Sequence, residues 1–171
     1  GSEMCIRDSR LARYPDPVGT AFREAAAPVL GVEADWILCG NGSDDLLTIL
    51  VRAFAGEGDA VRYSEPGYIL YPTLCHIQGA VADPVRYVDD WTLDNRFVAN
   101  ADQVRLAIIA NPNSPSGTMI GPDQIVQFAS ALPCPLVIDE AYVDFADADA
   151  LELVKQLPNL VVTRSLSKSY S

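Results

Sequence analysis

Leu136-Val137-Ile138-Asp139-Glu140 is an apolar run of strand length that breaks off into two carboxylates. Two other runs share its design. Leu106-Ala107-Ile108-Ile109-Ala110 gives way to Asn111, and Leu160-Val161-Val162-Thr163 gives way to Arg164-Ser165. Between the first and second of these in chain order, Ile125, Phe128, Ala129 and Leu132 fall on one face of an amphipathic helix. Continuous apolar runs separated by helices indicate parallel strands buried on both faces, so the expected fold class is α/β. In such sheets the ligand crevice lies beyond the carboxyl ends of the strands. All three runs end in polar residues at that edge.

Upstream, the turn-rich Tyr14-Pro15-Asp16-Pro17 precedes an Ala-rich stretch, and the expected helix from Thr20 to Leu30 is interrupted or ended near Pro28. Gly42-Ser43-Asp44-Asp45 leads into a second helix, with Ser43 or Asp44 as its N-cap and Leu46, Leu47, Leu50, Ala53 and Phe54 on its apolar face. Ala60 to Tyr63 reads as a short strand, Tyr68 to Gln78 as a helix, and Ala80 to Tyr87 as a strand broken by Pro84. Residues 1–9 show neither periodicity and read as a non-native or unstructured leader, leaving residues 10–171 for the fold.

Composition narrows the function. The chain has 171 residues, long enough for one domain with a sizeable core or for a piece of a larger protein. With 49% hydrophobic and 20% charged residues it is too apolar for disorder. Twelve Lys+Arg against 23 Asp+Glu leave a net charge of −11, which argues against a nucleic-acid partner. No apolar stretch approaches the roughly 18–20 residues a membrane span needs, and the expected location is cytoplasmic. Cys5, Cys39, Cys75 and Cys134 are scattered without a CxxC pair, so neither a disulfide framework nor a zinc site is expected. His76, the single histidine, leaves no basis for a His-based metal site or a Ser-His-Asp triad and reads as a partly buried helix residue.

Each motif has a plain structural reading beside a chemical one. Gly40-Asn41-Gly42-Ser43-Asp44 before a helix can cradle a phosphate on free backbone N–H groups, provided the Asp44 and Asp45 carboxylates point away; it can equally be a capped helix start. Asp139-Glu140 at a strand end resembles a Walker B element, but the chain has no Gly-x-x-x-x-Gly-Lys-Ser/Thr loop to go with it. Asp144, Asp147, Asp149 and Glu152 fit an exposed surface. Asn111-Pro112-Asn113-Ser114-Pro115-Ser116-Gly117 is a rigid connection that can also hold polar side chains at the sheet edge. Tyr68 and Tyr71 can stack on a planar ligand or pack in the core. Lys168, in Ser165-Leu166-Ser167-Lys168, is a solvated charge or, if partly desolvated, a nucleophilic amine.

In order along the chain, these pieces suit pyridoxal phosphate, which needs a lysine for covalent linkage and a carboxylate opposite its ring nitrogen. Arg13-Tyr14-Pro15-Asp16-Pro17, Gly40 to Asp45, Pro66-Gly67-Tyr68-Ile69-Leu70-Tyr71, Asn111 to Gly117, Asp139 to Phe145 and Asn159 through Lys168 together make the chain resemble the fold-type I aminotransferases, most closely the histidinol-phosphate aminotransferase branch. The resemblance implies a three-layer α/β/α large domain with a mostly parallel central sheet. It implies that Lys168 carries the cofactor and shuttles the proton, that Asp139 pairs with the pyridine nitrogen and that Tyr142 bonds the phenolic oxygen. Tyr68 would stack on the ring. Gly42, Ser43 and Asp44, with Ser165 and Ser167, would hold the phosphate. Tyr14 would reach the neighbouring subunit's cofactor, which makes a homodimer part of the expected machinery.

In the family's usual Asn-Pro-Asn-Asn-Pro-Thr-Gly loop the fourth residue bonds the phenolic oxygen. Ser114 stands there in this chain, which would pass part of that task to Asn113 and Tyr142. The resemblance also implies that a second phosphate-binding arginine, a carboxylate-binding arginine and a small domain lie beyond Ser171. The chain then reads as an N-terminal fragment, incomplete at its C-terminus. The implied activity is amino transfer between histidinol phosphate and 2-oxoglutarate in histidine biosynthesis. An aromatic aminotransferase, a phosphothreonine decarboxylase of the same fold and a non-catalytic truncated remnant stay open as alternatives.

Overall fold

The structure, a computed structural model, describes residues 14–170. The leader assigned to residues 1–9 lies outside the described residues. The chain divides into two compact units at Gly40/Asn41.

In the first unit, helix α1 spans Thr20–Leu30. Asp16 starts it by accepting the backbone N–H groups of Val18 at 3.1 Å and Thr20 at 2.7 Å. Gly31 stops it in the left-handed conformation, its N–H returning to the Ala27 carbonyl. The helix therefore runs through Pro28, which removes the i→i−4 bond to the Glu24 carbonyl only two residues before the helix ends. Arg23 ties α1 to the 3-10 turn Ala34–Trp36, donating to the Ala34 carbonyl at 2.8 Å and to Asp35 at 2.7 Å.

The second unit is a five-stranded sheet between helices. In chain order its elements are α2 (Ser43–Phe54), β1 (Ala60–Glu65), α3 (Leu70–Gln78), β2 (Val81–Arg86), β3 (Val104–Ala110), α4 (Pro122–Ala131), β4 (Leu136–Asp139) and β5 (Leu160–Thr163). The strand order is β2-β1-β3-β4-β5 and every pairing is parallel. The chain leaves β1 in one direction to add β2 and returns on the other side with β3, so the order switches between β1 and β3.

Alternation along the strands explains why the three apolar runs have no polar face. Ala107, Ile109, Leu136 and Ile138 pack on one side against Ile125, Phe128 and Ala129 of α4, where the Phe97 and Phe128 rings stack at 5.5 Å. Leu106, Ile108 and Val137 pack on the other against Leu47 and Val51 of α2 and Tyr71 and Leu74 of α3. The unit thus has the expected three layers.

Four local expectations are corrected. Helix α2 is entered at Gly42 (φ 85°) without a side-chain cap, so neither Ser43 nor Asp44 is the N-cap. Its buried residues are Leu47 and Val51, four apart on the face toward the sheet, while Ala53 and Phe54 of the expected apolar face are exposed. Pro84 does not break β2. Val81 and Tyr87 donate their N–H groups to Asp59 and Glu65, so the alternate position of Pro84 turns its missing N–H toward the open edge, where a strand tolerates proline. His76 is exposed on α3, not partly buried. Cys75 and Cys134 are buried free thiols, with burial pushing Cys134 up to about 11. Among the described residues no group of His, Cys, Asp and Glu could hold a metal, and no helix is long and apolar enough to cross a membrane.

Candidate active site

The carboxyl ends of β1, β3, β4 and β5 converge on a cavity of about 220 Å3 within the second unit. Its floor is Asp139, the last residue of β4. Register places Asp139 between Ala110 of β3 and Thr163 of β5. Asp139 is 4% exposed, and both carboxylate oxygens are held by hydroxyls: Tyr71 donates to Oδ2 at 2.8 Å and Thr163 to Oδ1 at 3.1 Å. Burial raises its pKa above the ordinary carboxylate value; Tyr71, Thr163 and the Ala141 N–H oppose that rise, and the Asp44 charge adds to it. Burial and the neighbouring Asp139 carboxylate push Tyr71 well above the ordinary phenol, so Tyr71 is the donor.

At one end the start of α2 presents Gly42, Ser43 and Asp44 to the cavity. With no side chain capping this helix, its first-turn N–H groups are available to an anion. The two acidic side chains are turned to other donors. Asp45 accepts the Asn41 N–H at 2.9 Å, and Asp44 accepts the Tyr68 hydroxyl at 3.1 Å. On the other side Ser165 and Ser167 share a hydroxyl contact of 2.6 Å. An anion pocket needs donors of these two kinds.

Tyr68 follows Gly67, and that glycine is fixed by sterics: a Cβ there would lie 2.6 Å from the Ser64 carbonyl oxygen. The close turn brings the Tyr68 ring to the cavity wall, edge-on to Tyr71 with 5.8 Å between centroids. Tyr142 and Lys168 complete the lining, with the Lys168 ammonium 5.1 Å from the Tyr142 ring centre. Lys168 is exposed in this structure.

Ten of the twelve expected site residues therefore meet in one cavity: Gly42, Ser43, Asp44, Tyr68, Ser114, Asp139, Tyr142, Ser165, Ser167 and Lys168. Asn113 does not. It is 3% exposed and its amide donates to the Pro66 carbonyl at 3.2 Å and Ser116 Oγ at 2.9 Å, bracing the loop from within. Asn111 does similar work, exchanging two hydrogen bonds with the backbone of Ile120. Tyr14 belongs to the first unit and is fully exposed. Sequence reasoning missed the clamp on Asp139; its signal was the spacing of Tyr71 three residues after Tyr68, which puts both on one side of a helix start.

Behind the cavity, Glu140 is 1% exposed and accepts the Ala150 N–H at 2.5 Å and Arg164 Nε at 2.9 Å. Arg164 Nη2 lies 2.8 Å from Glu140 and 3.0 Å from Asp149, charge contacts outside hydrogen-bond alignment. The group closes the excursion from 141 to 150, which carries Tyr142, onto the residue preceding Ser165.

The cavity joins a strand-end carboxylate, an amine and an uncapped helix start at the carboxyl edge of an α/β sheet, and the chain belongs to the aminotransferase class I and II family, whose profile matches residues 6–171. It is 52% identical over 161 residues to histidinol-phosphate aminotransferase of Rhodopirellula baltica, covering 94% of this chain and 44% of that protein. It is 47% identical to histidinol-phosphate aminotransferase 1 of Trichormus variabilis, covering 94% of this chain and 46% of that one. The chain thus spans a little under half the length of these relatives. Among solved structures, the histidinol-phosphate aminotransferase of Sinorhizobium meliloti in complex with pyridoxal-5'-phosphate superposes with a TM-score of 0.85 at 32% identity, covering 98% of this chain and 48% of that chain. The L-threonine-O-3-phosphate decarboxylase of Porphyromonas gingivalis shares the fold, with a TM-score of 0.79 at 22% identity over 97% of this chain and 53% of that chain.

Proposed function

We propose that residues 10–171 form part of the cofactor-binding large domain of a pyridoxal phosphate-dependent aminotransferase whose amino donor is histidinol phosphate and whose acceptor is 2-oxoglutarate. The observation that carries this reading is the pair of poles in the cavity. A buried carboxylate held by neutral hydroxyls sits at the floor, and an uncapped helix start with two serine hydroxyls sits at the rim. A cationic ring nitrogen would offset the burial of Asp139, and a phosphate would occupy the donors at the other pole. The donor set therefore fits pyridoxal phosphate. Bound there, that group supplies an electron sink for charge developing at a substrate carbon.

The chain's own residues divide the remaining work. Lys168 supplies the amine for covalent attachment and, once released, moves a proton at its Nζ. Asp139 holds the ring nitrogen protonated, Tyr68 covers the ring and Tyr142 donates to the phenolic oxygen, with Ser114 beside it. Gly42, Ser43, Asp44, Ser165 and Ser167 bind the phosphate, the first three through backbone N–H groups. Asn113 supports Ser114 through the loop and does not touch the cofactor. Tyr14 reaches a second subunit's site in a cytoplasmic homodimer. The donor assignment rests on relatives 40–52% identical to this chain.

The test is an absorbance titration of the purified chain with pyridoxal phosphate, then borohydride reduction and peptide mapping. A new near-ultraviolet or visible band fixed on Lys168 is expected. Label on Lys155 or on the N-terminal amine in place of Lys168 would refute the site, and the chain would then be a non-catalytic piece. Formation of glutamate from 2-oxoglutarate by the complete gene product with histidinol phosphate, and not with aromatic amino acids, tests the donor.

A further inference from the structure

Tyr71 is wholly buried in the core formed by α2, α3 and the sheet, a position where leucine or phenylalanine would pack without polar cost. Its hydroxyl reaches through that core to Asp139 Oδ2 at 2.8 Å. Thr163 approaches Oδ1 from the neighbouring strand at 3.1 Å, in register with Asp139. The donors come from different elements, so turning the carboxylate about its side-chain bonds breaks at least one contact. Tyr71, in the first turn of α3, lies three residues beyond Tyr68, whose ring borders the cavity, and the two rings meet edge-on. One helix start therefore delivers both the covering ring and the hydroxyl beneath it.

We propose that Tyr71 is a positioning residue for Asp139: its hydroxyl, acting with that of Thr163, fixes the carboxylate in the orientation that presents it to the cavity. The proposal rests on the reading of the cavity as a pyridoxal phosphate site. Tyr71 touches no cofactor atom itself; it acts through Asp139. The groups bearing on that carboxylate are Tyr71, Thr163, the Ala141 N–H and the Asp44 charge, and only the first three favour its ionised form.

The experiment is a carbon-13 carboxyl titration by NMR of the chain labelled at aspartate, with Asp139 assigned by the signal lost in Asp139→Asn. Tyr71→Phe keeps the ring and removes only the donor. The Asp139 titration is expected to move to higher pH in that variant, with proton affinity raised roughly tenfold or more. Thr163→Val, which removes the longer bond, moves it in the same direction by less. The pH profile of the visible band in the pyridoxal phosphate-loaded chain shifts with it, a change that loss of packing alone would not produce. An Asp139 titration in Tyr71→Phe that overlays the parent overturns the proposal. If Tyr71→Phe does not fold, Thr163→Val decides on the same criterion. If borohydride fixes no cofactor on Lys168 of the parent chain, the cofactor reading fails and the proposal with it, whatever the NMR titration does.

Discussion

Removing Arg164 should expose how the Tyr142 excursion is held. The Glu140 side chain is 0% exposed while Arg164 is 30% exposed, so Arg164→Ala leaves a buried carboxylate without its counter-charge. Breaking a fully buried pair this way costs about 3–5 kcal/mol; water entering by the exposed side of Arg164 brings the expected loss to about 2–3 kcal/mol. Glu140→Gln keeps an acceptor for the Ala150 N–H and leaves Arg164 beside Asp149, so about 1 kcal/mol is expected there. The double variant should cost less than the sum, because no unpaired buried charge remains. The pH dependence gives a sharper test. Burial holds Glu140 above its ordinary 4.5, against the opposing effects of the Ala150 N–H and Arg164. A group raised in this way contributes its full stability below its unfolded value and loses it as pH rises through the folded value. Without Arg164 that rise is larger. The stability gap between Arg164→Ala and the parent should therefore be small near about pH 4 and widest near about pH 8 in urea denaturation. A gap independent of pH, or a Glu140→Gln variant less stable than Arg164→Ala, would refute the reasoning.

Gly67→Ala forces a Cβ to 2.6 Å from a backbone oxygen, and the expected cost is about 1–3 kcal/mol by thermal melt, with Tyr68 displaced and pyridoxal phosphate retained less tightly. For Asp139→Asn the sign runs with pH: burial raises the Asp139 pKa, so the parent loses stability as pH climbs from its ordinary 3.8 through the folded value, and the variant does not. Relative to the parent, Asp139→Asn should gain stability between acid and neutral pH in urea melts while losing the cofactor. Ser114→Asn lengthens a side chain that already lines the cavity, and should tighten pyridoxal phosphate binding by up to roughly tenfold in an equilibrium absorbance titration.

The sheet was legible because its strands are apolar at both parities, which only burial on two faces requires; Leu106 to Ala110 and Leu136 to Ile138 could be read from that alone. The place of a strand within the sheet was not legible. Pro84 looks like a break until β2 proves to be an edge strand with that residue facing outward. The loop from Asn111 to Gly117 was legible as rigid, but periodicity does not say which of its side chains turn in. Backbone carbonyls and N–H groups buried under the loop need partners, and Asn111 and Asn113 supply them, leaving Ser114 for the cavity. Tyr71 hid for a related reason. A core tyrosine and a functional one look alike in sequence, and they differ only in what the hydroxyl meets.

The last rung of the sheet makes the same point in three residues. Two residues before the strand ends, Ile108, Val137 and Val161 lie side by side on the face that packs against α2 and α3. At the final rung that row becomes Ala110, Asp139 and Thr163. Ala110 is short enough to leave room above it, Asp139 brings the charge, and Thr163 brings a donor at the spacing of neighbouring strands. Tyr71, packed against the apolar rungs of the same face, reaches the fourth corner. The site is thus the end of the core, where an apolar row gives way to small, charged and hydroxylic residues. This is why a carboxylate can be both nearly buried and open to a ligand. Converting this row back to branched aliphatic residues would extend the core and close the cavity, so the cost of exposing an unfilled sheet end is the condition for having a site there at all.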